Sequence, residues 1–198
     1  MTLHTDAGCT ITNNGLSSGD ILGTNCDVDA TGNAGCSIAT SNTASYGDGF
    51  NSANGGVYAT EWTTSAISVW FFPRSAIPSD ITSGSPNPGN WALPLAKFSG
   101  GCDIDQHFVD QQIVFDTTFC GDWAGKMWSS DPVCSQKAST RVDYVMNNPS
   151  DFTDAYWAIN GLKVYQENRA VVSSSATARR IRIWMHANRH REVMGKLL

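Results

Sequence analysis

Two aspartate pairs in this chain have a spacing that could support acid–base chemistry. Asp27 and Asp29 stand two residues apart, as do Asp103 and Asp105, so an extended backbone would direct both carboxylates of a pair to one face. Two carboxylates on one face can act as a general acid and a general base. Each pair, however, lies beside a cysteine in a loop rich in glycine or asparagine, where aspartate usually caps a turn. We therefore expect both pairs to cap turns.

The cysteines form a second group with its own chemistry: Cys9, Cys26, Cys36, Cys102, Cys120 and Cys134. Their even number and the lack of any Cys-x-x-Cys pair favour disulfides over a zinc site. Six cysteines permit many pairings, and we expect only that Cys26 and Cys36 close a local loop. The alternative is a set of buried free thiols.

Composition and charge limit the class of protein. Charged residues make up 16% of the 198 residues and aromatic residues 10%, which excludes a disordered chain and a coiled coil. The net charge of −5 argues against nucleic acid as the main partner. No apolar run is long enough to predict a membrane-spanning helix.

Short strands separated by long loops are the main pattern of residues 1–166. Alternation and β-branched or aromatic content predict strands at residues 1–6, 57–62, 66–72, 112–119 and 156–166. Gly161 is expected to mark a bulge or kink in the last strand. The loops between the strands are rich in glycine, asparagine, serine and proline, and no clear helix is predicted there. Such a pattern indicates an all-β sandwich or barrel.

Residues 167–198 differ from this body in charge and in pattern. They hold 7 Lys+Arg and 2 Asp+Glu, whereas residues 1–166 hold 6 and 16. From Ala176 onward the residues favour helix, with Ile181, Trp184 and Met185 on one helical face. We predict a basic tail, helical or disordered, outside the domain of residues 1–166. Such a tail could lie on an anionic surface, or it could be sequence without a selected role.

Well-spaced motifs along residues 1–166 carry a family resemblance. They include Met-Thr-Leu-His-Thr at 1–5, Trp-Phe-Phe-Pro-Arg at 70–74 and Phe-Cys-Gly-Asp-Trp-Ala-Gly at 119–125. Shorter matches fall at 25–28, 45–47, 50–51, 102–104, 143–145, 148–149, 156–157 and 164–166. Together they resemble glycoside hydrolase family 16, the fungal laminarinase-like endo-1,3(4)-β-glucanases. The resemblance implies a β-jelly-roll sandwich with an open cleft, truncated at its N-terminal side.

The resemblance also defines the expected catalytic chemistry. In that family a Glu-x-Asp-x-x-Glu strand precedes the stretch that residues 1–6 match, and its two glutamates flank the glycosidic bond in a retaining mechanism. This chain has only Glu61, Glu167 and Glu192, none at that spacing. We therefore assign no catalytic residue here, and expect the chain alone to be inactive. The alternative is a non-catalytic β-glucan-binding sandwich.

Three residues are candidates for substrate binding. Trp123 lies between small neighbours that could expose its ring, and an aromatic ring can stack on the C–H face of a sugar. Asp122 could bind a hydroxyl group beside it. His4 lies on the strand that follows the catalytic strand in the family, so it is expected either to face the cleft or to be a hydrogen-bonded structural histidine.

Other aromatic and basic side chains are expected to be structural. Trp62, Trp70, Phe72 and Trp157 alternate with polar residues and are expected in the core. Arg74 is expected to brace a loop rather than to contact substrate.

The remaining expectations concern partners and location. The resemblance implies a β-glucan polysaccharide as partner, a monomer, and an extracellular location for the full-length family protein. Residues 1–6 do not resemble a signal peptide. No motif implies a cofactor or a metal, since His186 and His190 lack the His-Glu-x-x-His zinc signature.

Overall fold

Two antiparallel sheets form the framework of the computed structural model, which describes residues 1–12, 15–117, 119–166 and 181–188, the backbone alone at 122–124 and 181–188. The smaller sheet has the order β1-β3-β2, with strands β1 Thr2–Leu3, β2 Asp20–Gly23 and β3 Cys36–Ala39. The larger has the order β6-β5-β4-β8-β7, with β4 Gly56–Trp62, β5 Ala66–Pro73, β6 Ala96–Ser99, β7 Ala158–Gln166 and β8 Ile181–Asn188.

The main core lies between the two sheets. Ile38 of β3, Ile67 of β5 and Phe98 of β6 belong to one buried cluster, together with Ile11 and Ile104. Burying these branched and aromatic side chains between two sheets is the main stabilisation of such an architecture. The all-β sandwich predicted from the sequence is therefore confirmed.

The hairpin of β4 and β5 has the predicted alternation of side chains. Val57, Ala59 and Trp70 belong to a buried cluster on one face, and Tyr58 contacts Phe71 on the other, with ring centroids 5.0 Å apart. Thr63 closes the turn, because its hydroxyl accepts a hydrogen bond from the backbone N–H of Ala66 at 3.1 Å. The predicted bulge in β7 is also confirmed, since the register with β8 shifts between Ile159 and Gly161.

Residues 181–188 correct the prediction of a helical tail outside the domain. They form β8, which is hydrogen-bonded to β4 on one side and to β7 on the other. Ile181, Ile183 and Met185 stand at every second position, so the segment fits a strand as well as a helix, and the two neighbouring strands decide the outcome by pairing with its backbone groups. The rest of the predicted tail, residues 167–180 and 189–198, lies outside the described residues.

Residues 111–117 correct the prediction of a strand at 112–119. They have no regular secondary structure, and no strand of the described chain pairs with them. A β-strand is stabilised by its neighbour, so β propensity alone does not make one.

Short helices in the loops were also missed. They are α1 Gly47–Ser52, α2 Ser79–Thr82, α3 Ile104–His107, α4 Asp122–Met127 and α5 Arg141–Asn147. Local caps explain two of them. The Thr140 hydroxyl accepts from the Asp143 N–H at the start of α5, at 3.1 Å, and the Asp103 carboxylate accepts from the Gln106 N–H at the start of α3, at 3.1 Å.

Two disulfides link parts of residues 1–108. Cys26–Cys36 closes the local loop that the sequence predicted, and Cys9–Cys102 joins residues 93 positions apart. Cys120 and Cys134 are free thiols, which corrects the expectation of a disulfide at all six cysteines. Their environments differ, since Cys134 is buried against Trp128 and Tyr144 whereas Cys120 is exposed.

Candidate functional site

An open cleft of about 1090 Å³ lies along the smaller sheet. Its lining comes from all three strands of that sheet, from the turn at residues 31–35, and from side chains delivered by other elements, namely Ser45, Tyr46, Tyr58 and Leu95. These segments are distant in sequence, so the cleft exists only once both sheets have formed.

His4 lines this cleft immediately after β1, and it is exposed. Gly35 makes this arrangement possible. It has a positive φ of 65°, and a Cβ atom there would lie 2.4 Å from the carbonyl oxygen of Leu3 and 3.3 Å from Nδ1 of His4. Any larger residue would therefore push β1 and His4 away from the turn. The binding role of His4 remains a prediction.

Tyr46 and two asparagines in the lining were not identified from the sequence. Tyr46 precedes α1, Asn25 follows β2, and Asn33 sits in the 31–35 turn with a positive φ of 68°. The Asn–Gly content of the turn at 32–35 is the sequence signal that could have indicated a constrained loop here. An aromatic ring and amide groups facing one cleft are the groups that contact sugar rings and hydroxyls.

The lining of the cleft is electrically neutral in its side chains. Among the described residues that line it, none is Asp, Glu, Lys or Arg, and the polar groups are hydroxyls, amides and the imidazole of His4. Such a cleft suits a neutral ligand with many hydroxyl groups better than a charged one.

Asp122 and Trp123, the other two binding candidates, begin α4. The helix follows Gly121, whose extended backbone (φ −71°, ψ 152°) makes it the N-cap residue. Both side chains lie outside the described part of the chain, so their binding roles also remain predictions.

One aspartate of each pair, Asp27 and Asp103, caps a turn or a helix, in line with the sequence prediction. The Asp27 carboxylate accepts from the backbone N–H groups of Asp29 at 2.9 Å and Ala30 at 3.2 Å, and Asp103 caps α3. Neither pair lines the cleft. The only glutamate among the described residues is Glu61, on β4.

A histidine–carboxylate contact outside the cleft was missed from the sequence. Nδ1 of His107, in α3, lies 2.6 Å from Oδ1 of Asp6. His107 also lies close to Gly8, whose Cβ position is 3.7 Å from Nε2. The contact joins α3 to the segment after β1, near the Cys9–Cys102 disulfide, and so acts as a structural link.

The residues expected to be structural are mostly so. Trp70 is buried and its indole N–H donates to the Ala92 carbonyl at 2.8 Å, while Trp62 and Phe72 are half-buried against core clusters. Arg74 braces a loop, as Nε donates to the Asn54 carbonyl at 2.6 Å. The prediction for Trp157 is wrong. It lies just before β7 and is 47% exposed.

No group of three or more His, Cys, Asp or Glu side chains among the described residues is arranged to hold a metal ion. None of the described helices has the length and apolar content needed to cross a membrane.

Comparison with known proteins identifies relatives along almost the whole chain. The profile of the XgeA-like, catalytic GH16 domain matches residues 1–165. An endo-1,3(4)-β-glucanase of Arthroderma benhamiae is 51% identical over 178 residues, which are 87% of this chain and 39% of that protein. A probable glycosidase of Schizosaccharomyces pombe is 48% identical over 170 residues, 84% of this chain and 40% of its own.

Solved structures agree with these sequence relatives. An elongating GH family 16 β-1,3-glucosyltransferase matches 95% of this chain and 57% of its own, at 34% identity and a TM-score of 0.69. Laminarinase 16A of Phanerochaete chrysosporium, solved with 6-O-glucosyl-laminaritriose in donor and acceptor sites, matches 93% and 56%, at 38% identity and a TM-score of 0.65. This chain thus spans two-fifths of these curated relatives and just over half of the solved chains. It belongs to glycoside hydrolase family 16.

Proposed function

We propose that this chain provides the β-glucan-binding cleft of a retaining endo-1,3(4)-β-glucanase domain. The observation that carries the proposal is the neutral, open cleft that His4 lines, in a chain that is 51% identical to an endo-1,3(4)-β-glucanase. The laminarinase neighbour holds a glucan oligosaccharide, which makes the same class of ligand the natural choice for this cleft.

Binding would use stacking and hydrogen bonds rather than charge. The ring of Tyr46 can cover the C–H face of a glucosyl unit, and the amides of Asn25 and Asn33 can bind its hydroxyls. His4 can donate or accept a hydrogen bond through its imidazole. In the proposal, Trp123 stacks on a further sugar unit and Asp122 accepts from a sugar hydroxyl.

Hydrolysis requires groups that this chain does not supply at the family spacing. A retaining mechanism needs two carboxyl groups about 5 Å apart, one to attack the anomeric carbon and one to protonate the leaving oxygen. No Glu-x-Asp-x-x-Glu occurs in the 198 residues. The chain is therefore expected to bind glucan without cleaving it, and the whole domain to cleave it once those carboxylates are present.

The experiment that tests this proposal separates binding from hydrolysis. Native electrophoresis through laminarin should retard the purified chain, and the His4→Ala variant should be retarded less. Met146→Ala, at an exposed position on α5 away from the cleft, is the control and should match the unaltered chain. Equal migration with and without laminarin would contradict the proposed binding. Reducing-sugar release above a heat-inactivated control would contradict the proposed inactivity.

A second candidate is a non-catalytic β-glucan-binding sandwich. The observation in its favour is the lack of the glutamate pair in a chain with an intact cleft. The coding sequence on the 5′ side of the Met1 codon discriminates between the two. An in-frame Glu-x-Asp-x-x-Glu supports the hydrolase, and a degenerate version of the motif supports the binding module.

The proposal also covers the compartment and the oligomeric state of the chain. Two disulfides suit an oxidising compartment, in line with an extracellular protein. We propose that the chain is a monomer when alone, which size-exclusion chromatography with light scattering would test.

A further inference from the structure

The β2 strand has an irregular register where it borders the cleft. Ile21 is opposite Ile38 of β3. The next matched pair is Gly23 and Ser37, so Leu22 is an extra residue with no opposite residue on β3. This arrangement is a β-bulge, which redirects a side chain and is frequent beside functional sites.

The bulge places two consecutive residues on the cleft side of β2. Leu22 and Gly23 both line the cleft, although in a regular strand only one of two consecutive residues would face it. Ile21, just before the bulge, packs against the core cluster instead. Leu22 is 67% exposed, so the bulge directs an aliphatic side chain toward the cleft rather than into the core.

The floor of the cleft beside Leu22 is polar. Thr2 of β1 is opposite Ser37 of β3, and both residues line the cleft with their hydroxyl oxygens 3.0 Å apart. Gly23 is opposite Ser37 on the other side of β3 and adds no side chain there. A row across the smaller sheet therefore presents two hydroxyls, then a glycine, then the aliphatic side chain of Leu22.

A glucosyl unit has groups that match this row. Its hydroxyls can bond to the hydroxyls of Thr2 and Ser37, and its C–H groups can pack against an apolar side chain. Exposure of a leucine is by itself common on protein surfaces. Leu93 is such a case, since it is 58% exposed and does not line the cleft. Leu22 differs because a bulge places it in a cleft beside polar groups.

We propose that Leu22 is a specificity-determining residue, which packs against the C–H groups of one glucosyl unit and favours unbranched β-glucan. A branch glucose on the Leu22 side of that unit would bring hydroxyls against the leucine. Those hydroxyls would lose water without gaining a hydrogen bond. This role deepens the proposed function and rests on it, because it requires a glucan in the cleft.

Isothermal titration calorimetry of the full 198-residue chain tests this role with two isomeric tetrasaccharides. One is linear laminaritetraose and the other is the branched 6-O-glucosyl-laminaritriose. The unaltered chain should bind the linear sugar more tightly. Leu22→Ala should weaken binding of the linear sugar by about fivefold, because the contact with its C–H groups is lost.

Two further variants of Leu22 separate polarity from size. Leu22→Asn keeps a side chain of similar size and adds an amide that can bond to branch hydroxyls. It should weaken binding of the linear sugar and narrow the difference between the two sugars. Leu22→Met keeps an apolar side chain of similar volume and should retain both the affinity and the preference.

Leu93→Ala is the matched control, because it truncates an exposed leucine outside the cleft lining. It should leave both dissociation constants unchanged. The melting temperatures of all these variants should match that of the unaltered chain, since both leucines are exposed. A fall of several degrees in Leu22→Ala would show a structural role and would overturn the specificity role.

The outcomes distinguish a failure at Leu22 from a failure of the proposed function. Binding of neither sugar by the unaltered chain contradicts the proposed function, and the role of Leu22 fails with it. If the chain binds sugar but Leu22→Ala and Leu22→Asn leave both dissociation constants unchanged, only the role of Leu22 is overturned. Equal weakening of both sugars by Leu22→Asn also overturns it, because Leu22 would then not discriminate between them.

Discussion

Residues 1–108 and residues 109–166 differ in how they are stabilised. The first region, the cross-linked region, contains both disulfides and the cluster in which Ile38, Ile67 and Phe98 are buried. The second region has a small cluster of its own, around Trp128, Cys134 and Tyr144. It also contains fourteen of the exposed large hydrophobic residues of the described chain, against four in the cross-linked region. Long-range contacts bury most of the large apolar side chains of the first region. In the second region many such side chains remain exposed.

Before β7, residues 121–153 of the second region are held largely by bonds between sequence neighbours. Thr140 caps α5, and the Asp131 carboxylate accepts from the N–H groups of Val133 at 2.9 Å and Cys134 at 2.8 Å. Those backbone bonds lower the pKa of Asp131. Local bonds shape short helices without covering the large apolar side chains beside them. The contrast shows that local hydrogen bonds can order a segment without burying its apolar side chains.

Removing the disulfides should give the largest effect and should test the cross-linked region. Cys9→Ala with Cys102→Ala should lower the free energy of unfolding by about 4.5 kcal/mol, and Cys26→Ala with Cys36→Ala by about 3 kcal/mol, because the longer loop gains more chain entropy when opened. Urea denaturation of both double variants measures this. Equal losses, or a larger loss for the shorter loop, would contradict the entropic argument.

Truncating one side chain in each region should sharpen the contrast in burial. Phe98→Ala should cost about 4 kcal/mol, since it leaves a cavity between the sheets. Val164→Ala should change stability by less than about 0.5 kcal/mol, because the side chain is exposed. Thermal or urea unfolding compares them. A loss of several kcal/mol at Val164 would mean that its surface is covered in solution, and the contrast between regions would disappear.

Two tryptophan substitutions test whether the second region contributes to ligand binding. Trp123→Ala should weaken the free energy of laminarin binding, measured by retardation in laminarin gels, by about 1 kcal/mol, the order of a lost stacking contact. The melting temperature should be unchanged. Trp128→Ala is the matched control. Trp128 is buried and its indole donates to the Ala138 carbonyl at 2.9 Å, so its removal should lower the melting temperature. A collapse of stability in Trp123→Ala with retardation intact would make Trp123 a core residue.

The free thiols of the second region should differ in reactivity. Burial, and the hydrogen bond and charge of Asp131, raise the pKa of the Cys134 thiol, so less thiolate is present at a given pH. Cys120 is exposed. Maleimide labelling near neutral pH should modify Cys120 first, and Cys134 slowly until the pH rises, as peptide mass spectrometry would measure. Equal rates would contradict this, and a mass two hydrogens lower with neither thiol labelled would reveal a third disulfide.

Short-range patterns gave the reliable part of the sequence prediction. The hairpin of β4 and β5, the loop of Cys26 and Cys36, and the turn-capping role of Asp27 depend on residues within a few positions or one turn of each other. Local periodicity and turn chemistry therefore specify them. Arg74 and Trp70 were also identified as structural from their immediate sequence.

Two segments exchanged their predicted states. Residues 112–119 were predicted as a strand and 111–117 are irregular, whereas Ile181–Asn188 fitted a helix and is a strand. A strand needs hydrogen-bonding neighbours, and β8 has two while 111–117 has none in the described chain. The candidate site followed the same rule. His4 was identified from its motif, but Tyr46 and Asn33 were missed because folding alone brings them to the same cleft.

The sequence by itself determined the family, the all-β class and the lack of the family's glutamate pair, because motifs, alternation and residue identity are written along the chain. Only the tertiary structure decided which strands became neighbours, and with them where β8 lies and that Leu162 and Val164 of β7 remain exposed. The physical reason is that pairing and burial depend on groups distant in sequence. The identity of a side chain sets how much apolar area it has, but only packing against distant residues decides whether that area is buried.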